Sequence, residues 1–289
     1  MHKIIDKIMH VCFILCGLIT ILCVGIITIY LIVSGIPAIR EIGIVDFLFG
    51  TTWASTARNA LFGILPFILT SFYGTFGAIL IGVPVGFFTA VYLSKFAPKT
   101  VKTAVGFVVS LLASIPSVVY GLVGMLVLVP AVRKLFNISD GATLFSAMIV
   151  LAIMILPSII NVSMNALDAV PKKYEEGALA LGATECETYM KVSVPAAKSG
   201  ICASIVLGVG RAIGEAMAVM MVSGNVANMP KLFGSVRFLT TAVASEMSYA
   251  SGLQKQALFS IALVLFVFVM LINMVLHKVM AGGGKDGEK

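Results

Sequence analysis

The sequence predicts an all-α integral membrane protein of about six transmembrane helices, and three observations carry that prediction. The first is composition: 60% of the 289 residues are hydrophobic and only 11% are charged. A soluble domain carries about 25% charged residues, so this chain lacks the polar groups to cover a water-facing surface. The second is the arrangement of the apolar residues in runs long enough to cross a hydrocarbon core, which takes about 20 residues each. The third is the absence of the alternating segments of about ten residues that mark a membrane β-barrel.

The elements follow in order. Val11 to Val33 spans 23 residues, longer than the roughly 7–15-residue apolar region of a signal peptide, and no small-residue cleavage site follows. It is expected to remain as a membrane anchor. Cys12, Cys16 and Cys23 share one helical face, and without a histidine or carboxylate there they read as small packing residues rather than metal ligands. The stretch from Ser34 to Leu69 is moderately apolar and carries the single tryptophan, Trp53. Aromatic side chains favour the membrane interface, so part of this segment is expected along the outer surface. Residues 1–69 thus form an anchor helix and an external interfacial segment, ahead of a membrane core over 70–280.

That core begins with the run Thr70 to Leu93, in which Gly82 and Gly86 have the spacing of close helix contact. A short basic connection, "KFAPKTVK", leads to the run Val105 to Val129. Pro116 sits inside it, removes a backbone donor, and is expected to kink or break the helix, with Ser114 and Ser117 available to the freed carbonyls. Such a site is either an ordinary proline kink or a bend lining a water-filled path. The runs Ala142 to Val162, Ile201 to Val222 and Ala257 to Leu276 complete the set. The last residues, 281–289, are Gly-rich and charged and are expected to be disordered.

Charge placement sets the orientation. With a cytoplasmic N-terminus, the inner segments hold twelve basic residues, among them Lys95, Lys102, Lys172 and Lys191, against seven in the outer segments. The positive-inside rule therefore puts both termini in the cytoplasm. The net charge of +7 reads as topology, since no dense Lys/Arg patch for nucleic acid is present.

Between the fourth and fifth runs lies "DAVPKKYEEGALALGATECETYMKVSVPAAKSG", residues 168–200, too polar for the membrane. Tyr174, Ala178 and Leu181 recur at helical spacing, which predicts a short amphipathic helix closed by Gly182. Thr184 with Glu187 three residues on predicts a capping box opening a second short helix. A structured segment of this size, in a chain of otherwise short loops, predicts a docking surface.

Enzyme chemistry finds no support. His2, His10 and His277 lie at chain ends or membrane edges, the aspartates fall outside the spans, and no H-E-x-x-H occurs. No G-x-x-x-x-G-K-[ST] occurs either, so this chain does not itself cradle ATP in a Walker A loop. The fifth run is different in kind, because "GVGRAIGEAMAVM" places Arg211 and Glu215 inside it. A mid-membrane arginine costs about 2.5–3.5 kcal/mol. Arg preceding Glu by four is the weaker order for an intrahelical pair, so a purely structural pair gives little return. The alternative is a charge and a fork of donors offered to a passing oxyanion, with Glu215 tempering the grip.

The loop resembles the EAA motif of bacterial ABC importer permeases. Glu176, Gly177 and Ala178 fall on its first three positions, and Gly182, Val192, Val194 and Pro195 fall on the rest with every gap kept. Gly177, Val192 and Val194 depart conservatively from the motif. The segments "DFLFGTTW", "FGILPFIL", "GAILIGVPVGFFTAVYLS", "SIPSVVYGLVGMLVLVP" and "LGVGRAIGEAMAVMMVSGN" resemble the PstC-type permeases of phosphate (Pst) importers. The resemblance implies a type I ABC importer permease fold in the bacterial cell membrane, with no cofactor in this chain. It implies that the loop is a coupling helix seated on a separate ATP-binding subunit. A second, PstA-type permease and an extracytoplasmic phosphate-binding protein complete the implied importer. Arg211 and Glu215 match the family's R-A-x-G-E segment, associated with phosphate passage. Molybdate and sulfate permeases carry a similar Arg-x-x-Gly-Glu segment, so another tetrahedral oxyanion stays open as substrate. A passive channel remains only if the loop match is accidental.

Overall fold

The computed structural model describes residues 2–282. Their helices follow the apolar runs, and the breaks fall where proline, glycine or a charge interrupts them. In chain order these are α1 (His2–Ile42), α2 (Ile44–Phe49), a hairpin of β1 (Trp53–Ala54) and β2 (Leu61–Phe62), α3 (Leu65–Val91), α4 (Lys99–Ser114), α5 (Ser117–Val123), α6 (Val129–Leu135) and α7 (Leu144–Asp168). There follow α8 (Lys172–Ala180), α9 (Glu185–Thr188), α10 (Val194–Ala196), α11 (Lys198–Gly214), α12 (Met217–Val222), α13 (Leu239–Glu246) and α14 (Gly252–Gly282). Wider π-helical turns join some of them, at Tyr92–Phe96, Gly124–Leu128 and Tyr189–Ser193. Five helices are long and apolar enough to cross a membrane, or six if the bent pair Glu185–Ala196 and Lys198–Gly214 counts as one span.

The centre of the bundle is α7 packed on α3 and α11. Its residues Leu151, Met154, Ile155 and Ile159 are buried, and glycines on the neighbouring helices make the approach possible. A Cβ on Gly82 would lie 2.7 Å from the Ile155 side chain, and one on Gly86 2.8 Å from that of Ile159. Small residues serve this purpose in membranes because tight packing replaces the hydrophobic drive between helices. A hydrogen bond of 2.8 Å between Ser163 Oγ and Ser204 Oγ ties α7 to α11. Gly210 and Gly214, which share the G-x-x-x-G spacing, meet nothing within 4 Å. A side chain at either position would meet open space, so the pair does not serve a close helix contact among the described residues.

Outside this core, α1 stands apart for most of its length. Cys12, Cys16 and Cys23 are exposed, so they do not pack within the chain. Contact begins near Tyr30, whose ring meets Phe259 edge-on. At Gly35 the backbones of α1 and α14 touch, and the Gly35 carbonyl accepts a hydrogen bond from Ser260 Oγ at 2.6 Å.

The segment between α1 and α3 corrects one expectation. Trp53 does not face the interface. It is buried against Phe62 and Phe67, and its indole N–H donates to both carboxylate oxygens of Glu246 at 3.3 Å. Arg237 pairs with the same carboxylate and donates to the Asn225 carbonyl. The hairpin, α13 and the loop after α12 are thereby fastened together. Of the tail 281–289, only Ala281 and Gly282 belong to the described residues, where they end α14.

Candidate functional site: two broken helices and a projecting loop

Two of the six expected spans are not continuous. In the third, α4 stops after Ser114, and Ile115 and Pro116 are extended (ψ 129° and 141°) before Ser117 opens α5. In the fifth, α11 stops at Gly214, Glu215 is extended (ψ 129°), and α12 starts two residues later. The single helix expected from Ile201 to Val222 is therefore replaced by two pieces. The stretch from Val105 to Val129 is divided in the same way. At 16 and 17 residues, α4 and α11 are about 24 and 26 Å long, short of a hydrocarbon core of about 30 Å. Both breaks lie at similar distances from the basic helix starts, Lys99 and Lys198. Irregular backbone at membrane depth is tolerated only where protein buries it or a cavity receives it.

The breaks are brought together. A Cβ on Gly121, in α5, would lie 2.8 Å from Ala218 Cα, in α12, so these two short helices cross at van der Waals distance. Each break also leaves polar groups to be served. Pro116 has no N–H for the Leu112 carbonyl, its partner in a continuous helix. Ser114 does not fill that role, since its Oγ donates to the Ser110 carbonyl, and no hydrogen bond joins the Ser117 hydroxyl to Leu112 among the described residues. The Leu112 carbonyl accepts from the Tyr120 hydroxyl at 2.7 Å. The other break is closed by Glu215 itself: Oε1 accepts from Ala218 N at 3.0 Å, and its carbonyl accepts from Thr240 Oγ1 at 2.8 Å. A carboxylate suits a helix N-terminus, where free N–H groups gather.

This arrangement separates Arg211 from Glu215. The Glu215 carboxylate is turned to the start of α12, where it accepts from Ala218 N, and forms no ion pair with Arg211 among the described residues. Arg211, in the last turn of α11, is half-buried. It has no hydrogen-bond or ion-pair partner among the described residues. A guanidinium without a partner among the described residues thus stands beside non-helical backbone in an apolar run.

The second site is the projecting segment of α8 and α9. The α8 helix runs from Lys172 to Ala180 and buries none of its residues. Gly182 ends it with φ +88°. Ala183 N donates to Ala178 O at 3.2 Å and Gly182 N to Leu179 O at 3.0 Å, a Schellman closure. The Thr184–Glu187 capping box opens α9 as the spacing predicts. Glu176, Gly177 and Ala178 lie along α8, and a Cβ on Gly177 or Gly182 would meet nothing within 4 Å. Leu181 is 91% exposed, with Tyr174 and Leu179 also open. Pro195 sits in α10, at the 70° bend into α11.

Sequence reading missed what holds this segment to the bundle. Glu175 Oε1 pairs with Lys95 Nζ at 2.5 Å and accepts from Ser193 Oγ at 2.7 Å. Asp168 likewise receives Lys102 Nζ and Ser94 Oγ. Burial pushes the Glu175 carboxyl up, but hydrogen bonds from Lys95 and Ser193, with the charges of Lys95 and Lys172, hold it below its ordinary value. Phe96 and Tyr189 meet edge-on beside the pair. The partners are 80 residues apart in the chain, so no local spacing announces them.

The fold and these two sites define the membrane component of a binding-protein-dependent transporter. Residues 82–281 match the family model of binding-protein-dependent transport system inner membrane components, and the chain belongs to that family. Several of its relatives are named PstC. It is 35% identical to the phosphate transport system permease protein PstC of Pasteurella multocida, covering 78% of this chain and 77% of that one. It is 34% identical to the PstC of Haemophilus influenzae, covering 89% and 87%. A probable ABC transporter permease of Bacillus subtilis, YqgH, is 39% identical over 89% of this chain and 86% of the relative. Among solved structures, the fold is similar to a bacterial alginate ABC transporter (TM-score 0.61, 15% identity, 92% and 91% covered). It is also similar to the inward-facing MetNI methionine ABC transporter (TM-score 0.57, 21% identity, 76% and 94% covered).

Proposed function

We propose that this chain is the membrane-spanning permease subunit of an ATP-driven importer that passes inorganic phosphate into the cell. The observation that carries the reading is Arg211, without a partner among the described residues, at the break in the fifth span and open to an oxyanion. Its planar fork of donors suits phosphate. Glu215, held at the start of α12, keeps a negative charge near the path, so the anion is not gripped too tightly to leave. The relatives named for phosphate transport favour phosphate over molybdate or sulfate.

The remaining assembly follows from the same reading. An external binding protein delivers phosphate. A separate subunit binds the ATP and seats against α8 and α9, around Glu176, Gly177, Ala178 and Gly182, with Pro195 at the bend that carries the movement to α11. A PstA-type permease supplies the other half of the path. Both termini and residues 168–200 face the cytoplasm of a bacterial cell membrane.

The test is phosphate uptake by the complete importer in cells lacking other phosphate transporters. Arg211→Gln is expected to lower uptake about tenfold or more, as loss of a charged hydrogen-bond donor implies, at unchanged membrane level and ATPase association. Uptake equal to wild type overturns the assignment. Uptake of sulfate or molybdate in place of phosphate assigns the path to that oxyanion instead.

A further inference from the structure

We infer that α13 ties the break at Glu215 to the hairpin of β1 and β2, with Thr240 and Glu246 as the positioning residues at its two ends. The inference rests on the reading of the break as part of the oxyanion path and of the hairpin as external. It assigns the element through which a protein docking outside acts on that path.

The link is made of directed bonds. Glu215 leaves α11 in extended backbone, and Thr240 Oγ1 donates to its carbonyl at 2.8 Å. At the other end of α13, about 9 Å along the helix at 1.5 Å per residue, the Glu246 carboxylate gathers side-chain donors. Arg237 pairs with it, and Trp53 Nε1 reaches both oxygens at 3.3 Å. Ser55 Oγ and Gln254 Nε2 reach Oε2 at 3.4 and 3.1 Å. Trp53 and Ser55 belong to the hairpin. Between the two ends Leu239, Thr241 and Ala242 are buried, and Leu239 N donates to Ser71 Oγ of α3 at 3.0 Å. The same piece of chain brackets α12. Thr240 holds the carbonyl before it, while Val236 N donates to the Ser223 carbonyl at 2.9 Å and Arg237 to that of Asn225, past its end.

Such bonds do what apolar packing does not. Packed helices can slide past one another by small amounts, whereas a hydrogen bond fixes which two atoms stay together. An ionised acceptor served by several donors is the strong kind. A displacement of the hairpin therefore carries Glu246, α13 and Thr240 with it, and the next atom in line is the Glu215 carbonyl, four residues from Arg211. An α13 that merely fills space uses Leu239 and Ala242 and gains nothing from a threonine bonded to the break.

The experiment is hydrogen–deuterium exchange of the purified permease–ATPase complex, paired with phosphate uptake by the complete importer in cells. Thr240→Val keeps the side-chain shape and removes the donor. It is expected to speed exchange over residues 53–62 as well as over 215–223. Glu246→Gln is expected to do the same from the other end. Each lowers uptake about fivefold, as loss of one hydrogen bond implies. The double variant loses about the same, because both changes cut one link. Thr240→Ser keeps the hydroxyl and restores exchange and uptake. Faster exchange confined to the mutated end, losses that multiply in the double variant, or wild-type uptake in both single variants overturns the inference. If Glu246→Gln does not assemble, Trp53→Phe, which removes the indole donor, carries the test from the hairpin side. Arg211→Gln separates the two claims. Wild-type uptake in that variant, with exchange still reciprocal between the ends of α13, overturns the oxyanion path and leaves the link. Lost uptake, with exchange changed only locally in the α13 variants, overturns the link and leaves the path.

Discussion

At Arg211 a sequence pattern and the folded backbone point in different directions, and the difference sharpens the mutational test. Four residues of separation suggest a helical ion pair with Glu215; in the structure the Glu215 carboxylate accepts from Ala218 N instead, and no ion pair joins it to Arg211 among the described residues. The pathway reading of Arg211 therefore predicts that removing the partner charge does not restore function. The double change Arg211→Gln with Glu215→Gln is expected to transport no better than Arg211→Gln alone, measured as phosphate uptake at matched expression. Full activity of the double variant sinks the pathway reading. Arg211→Lys is expected to restore only part of the uptake, since it keeps the charge and loses the two-pronged fork. Both residues were legible in the sequence because charge inside an apolar run is conspicuous. Tyr120 was not, because an aromatic residue in a membrane helix looks like any other lipid-facing side chain until its partner carbonyl is known.

The loop formed by α8 and α9 is the element whose design the sequence disclosed most fully. Its caps are local chemistry, a glycine with positive φ and a Thr/Glu box, and local chemistry is what spacing can predict. The face proposed for the ATP-binding subunit stands open, with Leu181 almost wholly exposed. Gly182→Leu is expected to lower ATPase association, read by co-purification, for two reasons. The left-handed φ penalises any side chain, and the added bulk enters the face meant for the partner. Normal co-purification and transport in that variant remove the coupling assignment. The attachment of the loop to the bundle predicts a pH dependence. The Glu175 carboxyl lies below its ordinary value of 4.5, so its ion pair with Lys95 contributes above that value. The contribution fades as pH falls through the ordinary glutamate range and below. Lys95→Met leaves the carboxylate buried without its cation and is expected to lower uptake at neutral pH, with the loss relieved in Lys95→Met/Glu175→Gln. Equal uptake in all three proteins removes the linkage.

Across the whole molecule, hydropathy located the spans but not their continuity. The runs Val105 to Val129 and Ile201 to Val222 are apolar enough to be read as rods, and nothing in their composition tells a rod from two pieces bent around a polar point. Orientation is open to direct measurement. With the Asp168 to Gly200 segment inside, Cys186, exposed on α9, is expected to resist a membrane-impermeant thiol reagent in intact cells and to react after permeabilisation. Labelling in intact cells reverses the topology. The clasp between α1 and α14 bears on how such a protein is made. Gly35 and Ser260 are 225 residues apart, and at about 5–20 residues per second a ribosome needs some ten seconds or more to deliver the second after the first. During that interval α1 waits in the bilayer with its tightest contact unmade, while α3, α7 and α11 already have one another. A ribosome that stops short of Ser260 releases a chain in which α3, α7 and α11 can pack but the Gly35 carbonyl has no Ser260 hydroxyl to accept from, leaving α1 held only by its contacts near the hairpin.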